Sequence, residues 1–253
     1  MKKFLILALA FALLAVALPA TAQDGTVSML IRIEPKAGMT DQWEEGVKKH
    51  MEFHGQQGDT WSWAMWEVIS GDKTGEFTVG TYGHEWSDFD NMPVSGPEDE
   101  ADGKKTTEAY TESVSIMYSN YMPEFSLPPD GDGPSKLLSI FTVYVKPEFE
   151  EDYVNAIRKI PEALKKANSS IRYFFADVVI GGRQPAYRIV IPADSFADLA
   201  PPATPFRRML EEAYGASEAD AILDTISRAS YGSNSELLIH RPDLSYTPSS
   251  TSN

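Results

Sequence analysis

The chain has 253 residues, a formal net charge of −15 and no cysteine. The negative charge excludes binding to nucleic acid or to an anionic membrane surface, since both require a basic protein surface. The absence of cysteine excludes disulfide bonds, so a hydrophobic core alone must stabilise the fold, and a chain of this length can form one.

Residues 1–22 are typical of a secretory signal. Two lysines precede an unbroken apolar run over residues 4–18, and the small residues Ala20-Thr21-Ala22 form a cleavage site. The run is shorter than a membrane-spanning helix requires. We therefore predict cleavage after Ala22, a periplasmic or secreted mature protein, and no stable membrane insertion after cleavage. An uncleaved anchor is the alternative.

The remaining chain contains the same segment twice. Residues 26–90 and 136–200 align without a gap, 110 positions apart, and their apolar and breaker positions stay in register. Such a duplication indicates two copies of one structural unit. The predicted organisation is a first unit over 23–127, a linker over 128–135, a second unit over 136–244 and a disordered Ser/Thr-rich tail over 245–253.

In the first unit, apolar alternation predicts a strand over 26–34, and Thr40 can cap a helix that runs to about residue 57. Two further strands are joined by the hairpin turn 71–75. The predicted elements that complete the unit are strands over 61–70 and 76–83, a mobile polar insertion over 93–105, a helix over 106–117 and a strand over 121–127.

The second unit is predicted to repeat this order. Its first helix, over 147–167, contains Pro161, which should kink or shorten it. The other predicted elements are strands over 137–145, 171–180, 186–191 and 235–241, a helix over 206–214 and a helix that starts at Ser217.

Several of these strands are apolar on both faces, as where Phe174 and Phe175 follow each other. One face must cover helices, and the other must also be shielded from water, because so much aromatic area is not left exposed. Two four-stranded sheets that face each other satisfy both demands. We therefore predict an α+β fold of two tandem ferredoxin-like (βαββαβ) units, packed within one chain as a monomeric pseudo-dimer and not as a homodimer.

This double strand-helix-strand-strand-helix-strand order resembles the dimeric α/β-barrel superfamily over residues 26–242. Members of that superfamily include antibiotic-biosynthesis-type monooxygenases, stress-responsive barrel proteins and tandem haem proteins such as chlorite dismutases. The resemblance implies a cleft in each unit, between sheet and helices or inside the barrel. No catalytic motif of these families matches this chain residue by residue, so the resemblance implies a fold and no site.

Two of the four histidines interrupt the repeat. His50 and His54 stand where the second unit has Ile160 and Leu164, on the apolar stripe of the first helix. Residues four apart on a helix share a face, so this pair can bind one metal ion or one anion, or act as an acid–base pair. Two ligands do not make a metal site, and the alternative is a pair of partly buried histidines bonded to the backbone.

A third group would have to converge with the two histidines, and the candidates are His84, Asp88 and Glu67. Glu67 aligns with Asp177, and each lies on an aromatic strand face. A carboxyl group that is desolvated on such a face has a raised pKa, which suits proton transfer. The alternative is a structural carboxylate paired with Arg32 or Arg188.

The polar insertion carries the acidic run Glu98-Asp99-Glu100, followed by Asp102. Carboxylates could bind calcium, but the run lacks the alternating ligand spacing of a calcium loop. We interpret it as a solvated insertion.

Aromatic residues are dense in the first unit, and they predict a pocket for a small apolar or aromatic molecule. The alternative is that they form core and barrel interface. The predicted ligand-binding residues are Trp61, Trp63, Met65, Trp66, Tyr82 and His84.

Haem would need an axial ligand, which His50, His54 or His84 could supply. The resemblance implies an axial histidine in the second unit, where His240, in the last strand and expected to face outward, is the sole candidate. No cofactor is therefore predicted, with haem or a divalent metal as the alternatives.

Three functions remain open. The first is an exported protein that binds a small apolar or aromatic molecule in the aromatic pocket of the first unit. The second is an oxygenase- or isomerase-like enzyme that uses His50, His54, His84 and Glu67. The third is a structural or interaction module without chemistry.

Overall fold

The computed structural model describes residues 25–131 and 133–248. The predicted signal segment lies outside the described residues, as do residues 249–253 of the tail. Within the described ranges, no helix has both the length and the apolar character needed to cross a bilayer.

The first unit consists of four strands and two α-helices. Strands β1 and β4 lie side by side although most of the unit separates them in the chain. The bounds are β1 Val27–Pro35, α1 Thr40–Gln56, β2 Ala64–Ser70, β3 Phe77–His84, α2 Pro97–Thr106 and β4 Thr111–Tyr121.

The second unit repeats this order with its first helix in two parts, α3 and α4. The break falls before Pro161, as predicted, because proline lacks the N–H that a continuous helix needs. The bounds are β5 Leu137–Val145, α3 Glu150–Ile157, α4 Ile160–Lys166, β6 Phe174–Ile180, β7 Ala186–Ala193, α5 Phe206–Tyr214, α6 Ala216–Ala229 and β8 Ser230–His240.

The spacing of the duplication is kept up to α5 and then changes. Strand β1 starts 110 positions before β5 (Val27 to Leu137), whereas β4 starts 119 positions before β8 (Thr111 to Ser230). The difference arises because α6 is present in the second unit alone. Residues in α1, β2 and α2 can therefore be compared directly with their counterparts in the second unit.

All eight strands form one closed barrel in the order β1-β3-β2-β8-β5-β7-β6-β4, and every pairing is antiparallel. Two pairings join the units, β2 with β8 and β4 with β6. Each unit packs its helices against the outer face of its own four strands, which gives two separate cores. This confirms the predicted intramolecular barrel of two ferredoxin-like units.

The elements predicted between residues 93 and 127 were wrong. Residues 97–106 form α2, and the chain then forms β4 where a helix had been predicted over 106–117. The charges of the insertion stabilise a helix because acids fill its first turn and Lys104 and Lys105 its last turn. In β4, serines alternate with apolar residues, a two-residue period that a helical interpretation of the same residues had hidden.

The tail was predicted to be disordered over residues 245–253, but its first residues, 245–248, are ordered in the described part of the chain. Tyr246 forms a bridge with Trp63, in which each backbone N–H donates to the other residue's carbonyl oxygen at 2.8 Å. The Tyr246 hydroxyl donates to the carbonyl oxygen of Asp59 at 2.8 Å. The chain after β8 therefore extends the antiparallel pairing of β8 with β2.

Two substitutions at Tyr246 test this contact. Tyr246→Phe removes the hydroxyl bond alone and should lower the free energy of unfolding by about 1 kcal/mol. Tyr246→Ala also removes the ring beside His54 and Trp63, and should lower it by about 2–4 kcal/mol. Urea unfolding followed by tryptophan fluorescence measures both. A Tyr246→Ala protein with the wild-type midpoint would contradict the packing.

Candidate metal centre

Helices α1 and α2 lie close together because Gly46 has no side chain. A Cβ atom at Gly46 would stand 2.0 Å from the carbonyl oxygen of Thr106, the last residue of α2. Trp43 and Val47 bury the inner face of α1 against the sheet. His50 and His54 follow on the last two turns of α1, with ring centres 4.9 Å apart and ring planes nearly perpendicular.

Three potential ligand atoms from the two helices converge. The Nε2 atoms of His50 and His54 each lie 3.5 Å from the same oxygen, Oδ1 of Asp99 in α2. All three atoms fall within 4.8 Å of one another. Ligands that bind zinc at about 2.0–2.1 Å and at tetrahedral angles are about 3.3–3.4 Å apart, so the spacing fits a metal ion.

The second nitrogen of each imidazole is held by a carboxylate. Nδ1 of His50 lies 2.9 Å from Oδ2 of Asp102, and Nδ1 of His54 lies 2.6 Å from Oδ2 of Asp59. An ionised carboxylate can accept a hydrogen bond and cannot donate one, so each Nδ1 carries the proton. Such outer carboxylates orient metal-binding histidines and make Nε2 a better ligand.

Asp59 is built into the core beneath this site. Its carboxylate also accepts hydrogen bonds from the Trp61 backbone N–H and the Trp63 indole N–H, both at 2.8 Å. Burial acts to raise the pKa of Asp59, but the hydrogen bonds from His54, Trp61 and Trp63 outweigh it and lower the pKa. The carboxylate is therefore ionised at neutral pH and fixes the ring of His54.

This arrangement directs three electron pairs at one point. When an imidazole is neutral and carries its proton on Nδ1, its Nε2 atom has a lone pair, and both Nε2 atoms lie beside Asp99 Oδ1. That oxygen is buried and has no hydrogen-bond partner among the described residues. Acceptors that face one another without a donor repel, so a cation between them would stabilise this arrangement.

The site is open on one side. The side chain of His54 is 6% exposed, whereas those of His50 and Asp99 are 19% and 29% exposed. An ion held by these three residues would keep a fourth position toward solvent, as in catalytic zinc sites that bind water or substrate there.

The second unit has an apolar contact at the same place. His50 aligns with Ile160, His54 with Leu164 and Asp99 with Met209, each 110 positions later. These three residues of the second unit are buried in one hydrophobic cluster between its helices. The same helix–helix contact is therefore polar in the first unit and apolar in the second. The apolar copy shows that the fold does not need polar groups there.

None of the other candidates, His84, Asp88 and Glu67, joins the histidine pair. Asp88 instead accepts a hydrogen bond from the backbone N–H of Glu85. His84 is buried against Trp61, with ring centres 3.8 Å apart, and its Nε2 shares a 2.5 Å hydrogen bond with Thr81 Oγ1. Burial lowers the pKa of His84, although the charge of Asp88 opposes this. The convergence of His50, His54, His84 and Glu67 considered above is therefore not formed.

Glu67 is a structural carboxylate, but its partner is neither Arg32 nor Arg188. Oε2 of Glu67 lies 2.9 Å from Nη1 of Arg241, in the segment after β8. Arg32 pairs instead with Glu236, at 2.6 Å. The register of β2 with β8 brings Arg241 to Glu67, and this long-range pairing is not apparent from local sequence.

The predicted aromatic pocket is divided between two faces of the sheet. Trp61, Trp63 and Met65 pack beneath α1, whereas Trp66 lies inside the barrel with Leu238. Tyr82 is 43% exposed, and His84 is buried. None of these residues lines the two described cavities, which lie in the second unit and beside its linker.

His240 does not face outward as expected. It is paired with Trp66 across the β2–β8 register, and the two rings lie 4.9 Å apart. Burial lowers the pKa of His240, against a weaker opposing effect of Asp243. The strand continues the barrel here, so a residue near the chain end is still packed.

The third potential ligand, Asp99, was missed because its segment was interpreted as a loop. On a helix, Asp99 and Asp102 are three residues apart and share a face, so one can reach the metal position and the other the outer nitrogen of His50. The signal was present in the charge order of α2, with acids first and lysines last.

Among solved structures, several barrels superpose on this chain. A protein assigned as a monooxygenase from Lactobacillus acidophilus NCFM gives a TM-score of 0.52 at 8% identity, over 88% of this chain and 97% of its own. An anthrone oxidase-like protein gives 0.50 at 15% identity, over 87% and 94%. Chlorite dismutase from Candidatus Nitrospira defluvii, in complex with imidazole, gives 0.50 at 8% identity, over 87% and 92%.

These similarities establish the fold. The structures are dimeric α/β-barrel proteins, so the predicted resemblance is confirmed at the level of fold. No family model and no curated protein sequence matches the chain. Any assignment of chemistry must therefore come from the side chains of this protein.

Replacing Asp59 with asparagine tests how the site is supported. Asp59→Asn should lower the free energy of unfolding of the metal-free protein by about 1.5–3 kcal/mol, because a buried charged acceptor of three hydrogen bonds is lost. Asp72→Asn, in an exposed turn, is the matched control. Chemical denaturation with a chelator present gives both values. Equal stability of Asp59→Asn and wild type would disprove the buried network.

Proposed function

We propose that this protein is an exported metal-binding protein whose divalent transition-metal ion is held by His50, His54 and Asp99. The observation that carries the proposal is the convergence of two Nε2 atoms on a buried, unpartnered carboxylate oxygen. Imidazole and carboxylate ligands suit zinc and its neighbours in the first transition series. The spacing of 3.5 Å favours a tetrahedral ion, and zinc is the first choice.

The ion would leave one coordination position for water or for an oxygen or nitrogen atom of a small molecule. A zinc-bound water has a pKa of about 7, so it can act as a hydroxide nucleophile at neutral pH. Asp99 and Asp102 would hold α2 over this position. We therefore propose that the predicted small-molecule partner binds at the metal ion and not among the tryptophans.

The oxygenase-like alternative is supported by the shared fold and would use the same three residues with iron. Two histidines and one carboxylate are the ligands of non-haem iron oxygenases, which need an octahedral ion. Neighbouring ligands of such an ion lie about 3.0 Å apart, closer than the 3.5 Å found here. The identity of the bound metal therefore separates the two functions.

The histidines do not fit haem. An axial histidine must present a free Nε2 to a flat cavity. In the described residues, Nε2 of His84 is bonded to Thr81 and covered by Trp61, and those of His50 and His54 face Asp99. His240 lies between Trp66 and Ser245. No step of the proposed function uses haem.

Metal binding is tested against a variant that copies the second unit. The wild type should bind one equivalent of zinc by calorimetry, whereas the double variant His50→Ile, His54→Leu should lose at least 100-fold in affinity. The variant should remain folded, because Ile160 and Leu164 occupy these positions in the twin. Zinc at 100 times its dissociation constant should raise the free energy of unfolding of the wild type alone by about 2.7 kcal/mol.

Glu98→Gln is the control for the acidity of α2, since Glu98 lies in the first turn of α2 and is exposed. It should bind zinc as the wild type does. Wild-type protein that binds no more zinc than the double variant would refute the metal centre. Metal analysis of protein purified without an affinity tag would favour the oxygenase alternative if it found iron.

Export and a monomeric state are further parts of the proposal. The apolar run and the site after Ala22 support cleavage, and the two inter-unit strand pairings complete the barrel within one chain. Intact-mass and native mass spectrometry of exported protein should give a single chain that starts at Gln23. A chain that keeps Met1, or a native dimer, would contradict export with cleavage or the monomer, respectively.

A further inference from the structure

A second difference between the units concerns carboxylates at the sheet. In the first unit, the guanidinium group of Arg241 is held by Glu44 of α1 at 2.7 and 2.8 Å and by Glu67 of β2 at 2.9 Å. It also lies over the ring of Phe77, 5.9 Å from the ring centre. Asp243 accepts two further hydrogen bonds from the same group, at 2.9 and 3.0 Å, so three acids and an aromatic ring surround one organic cation.

The second unit retains part of this frame. Asp177 of β6 aligns with Glu67, and Tyr187 of β7 aligns with Phe77. The second acid is Glu150 of α3, one helical turn before Val154, which aligns with Glu44. Positions four apart share a helix face, so the carboxylate is displaced along the same side of the helix.

The cation itself is missing from the frame. The turn Pro123–Phe125 after β4 corresponds to the turn Pro242–Leu244 after β8. Met122 therefore has the same position relative to the second unit as Arg241 has relative to the first unit. Within the described ranges, no lysine or arginine lies within ion-pairing distance, 4.0 Å, of Glu150 or Asp177. The hydroxyl of Tyr187 donates to Glu150 Oε1 at 2.9 Å, which leaves Asp177 with one backbone donor, the N–H of Asn120.

A cavity of about 320 Å³ opens at this place. The acids Glu150 and Asp177 and the aromatic residue Tyr187 are among the residues that line it. Gln184 and Ala186 complete the wall next to the hairpin. Its volume is at the lower end of the range for small-molecule sites, about 300–1,000 Å³.

The electrostatics of the cavity favour a positive ligand. Burial raises the pKa of Asp177, the N–H of Asn120 opposes this, and the charge of Glu150 raises it further. Burial and the neighbouring Glu150 also raise the pKa of Tyr187. A cation between the carboxylates would offset the smaller contribution that the charge of Glu150 makes to these shifts.

We propose that this cavity binds a small organic cation, a guanidinium or primary ammonium compound, held by Glu150 and Asp177 beside Tyr187. In the first unit, Glu67 and Phe77, which align with Asp177 and Tyr187, contact the guanidinium group of Arg241. A planar guanidinium group can form two parallel hydrogen bonds with a carboxylate. The site is independent of the proposed metal centre, which lies in the other unit.

A matched pair of ligands tests the proposal. N-acetylarginine amide carries a guanidinium group, and N-acetylcitrulline amide carries the neutral ureido group of nearly the same shape. The arginine compound should bind the mature protein at least tenfold more tightly in a titration followed by NMR. The shifted backbone signals should be those of Asp177, Ala186 and Tyr187. Equal affinity of the two compounds, or shifts elsewhere, would overturn the proposal.

Two variants locate the site. Met122→Arg supplies the arginine of the first unit, so it should fill the cavity from within, reduce binding at least tenfold and raise the melting temperature. Asp177→Asn removes one carboxylate and should also reduce binding at least tenfold, which keeps the test valid if Met122→Arg does not fold. Glu148→Gln, exposed on the turn before α3, should bind as the wild type does.

Calcium chloride alone is the last titrant, since two carboxylates could hold a metal ion instead. Calcium takes about six to eight oxygen ligands, more than Glu150 and Asp177 provide. The same signals should therefore shift with the arginine compound and stay unshifted with calcium at equal concentration. Shifts with calcium and none with the arginine compound would replace the organic cation by a metal ion and refute the proposal.

Discussion

Closure of the barrel across the boundary between the two units is the constraint on which the other features depend. A single four-stranded sheet of this chain would leave unpaired edges at β2 and β4 and an exposed apolar inner face. The pairings β2–β8 and β4–β6 satisfy the edges, and Trp66 and Val68 of one unit then pack with Ile140 and Leu238 of the other. Because the barrel interior is filled from both units, the helices are restricted to the outer face, where the seams between them become available for binding.

The duplication allows the energetics of one seam to be compared within one molecule. Ile160, Leu164 and Met209 form a dry contact that needs no partner outside the chain. His50, His54 and Asp99 fill the same contact with groups that lose hydration when buried, and this loss is recovered when a cation binds them. Without a bound metal ion, the apolar residues would stabilise this contact more than the polar residues do. The polar set is explained when the free energy of metal binding contributes to the fold, as it does in small metal sites.

Fold and site differ in how far the sequence predicts them. Apolar alternation and the 110-residue repeat predicted β1, β2, α1 and the barrel, because burial acts on every turn and strand in the same way. The segment of α2 and β4 was misassigned, since its charges suited a solvated loop as well as a helix end. Asp99 and Asp59 could not be assigned to His50 and His54 from sequence, because their convergence depends on a helix–helix contact and on a loop after α1. The break in the repeat at the two histidines was still the feature that led to the site.

The two proposed cation sites are of different kinds, and each lies in a different unit. In the first unit the sheet acids are neutralised by Arg241, and the open ligand set lies between α1 and α2. In the second unit the helix seam is apolar, and the open acids lie at the sheet beside Tyr187. Each unit therefore fills, with its own side chains, the position at which the other unit has a proposed cation site. Since the net charge is −15, a cation bound at either place would lower the electrostatic repulsion within the chain.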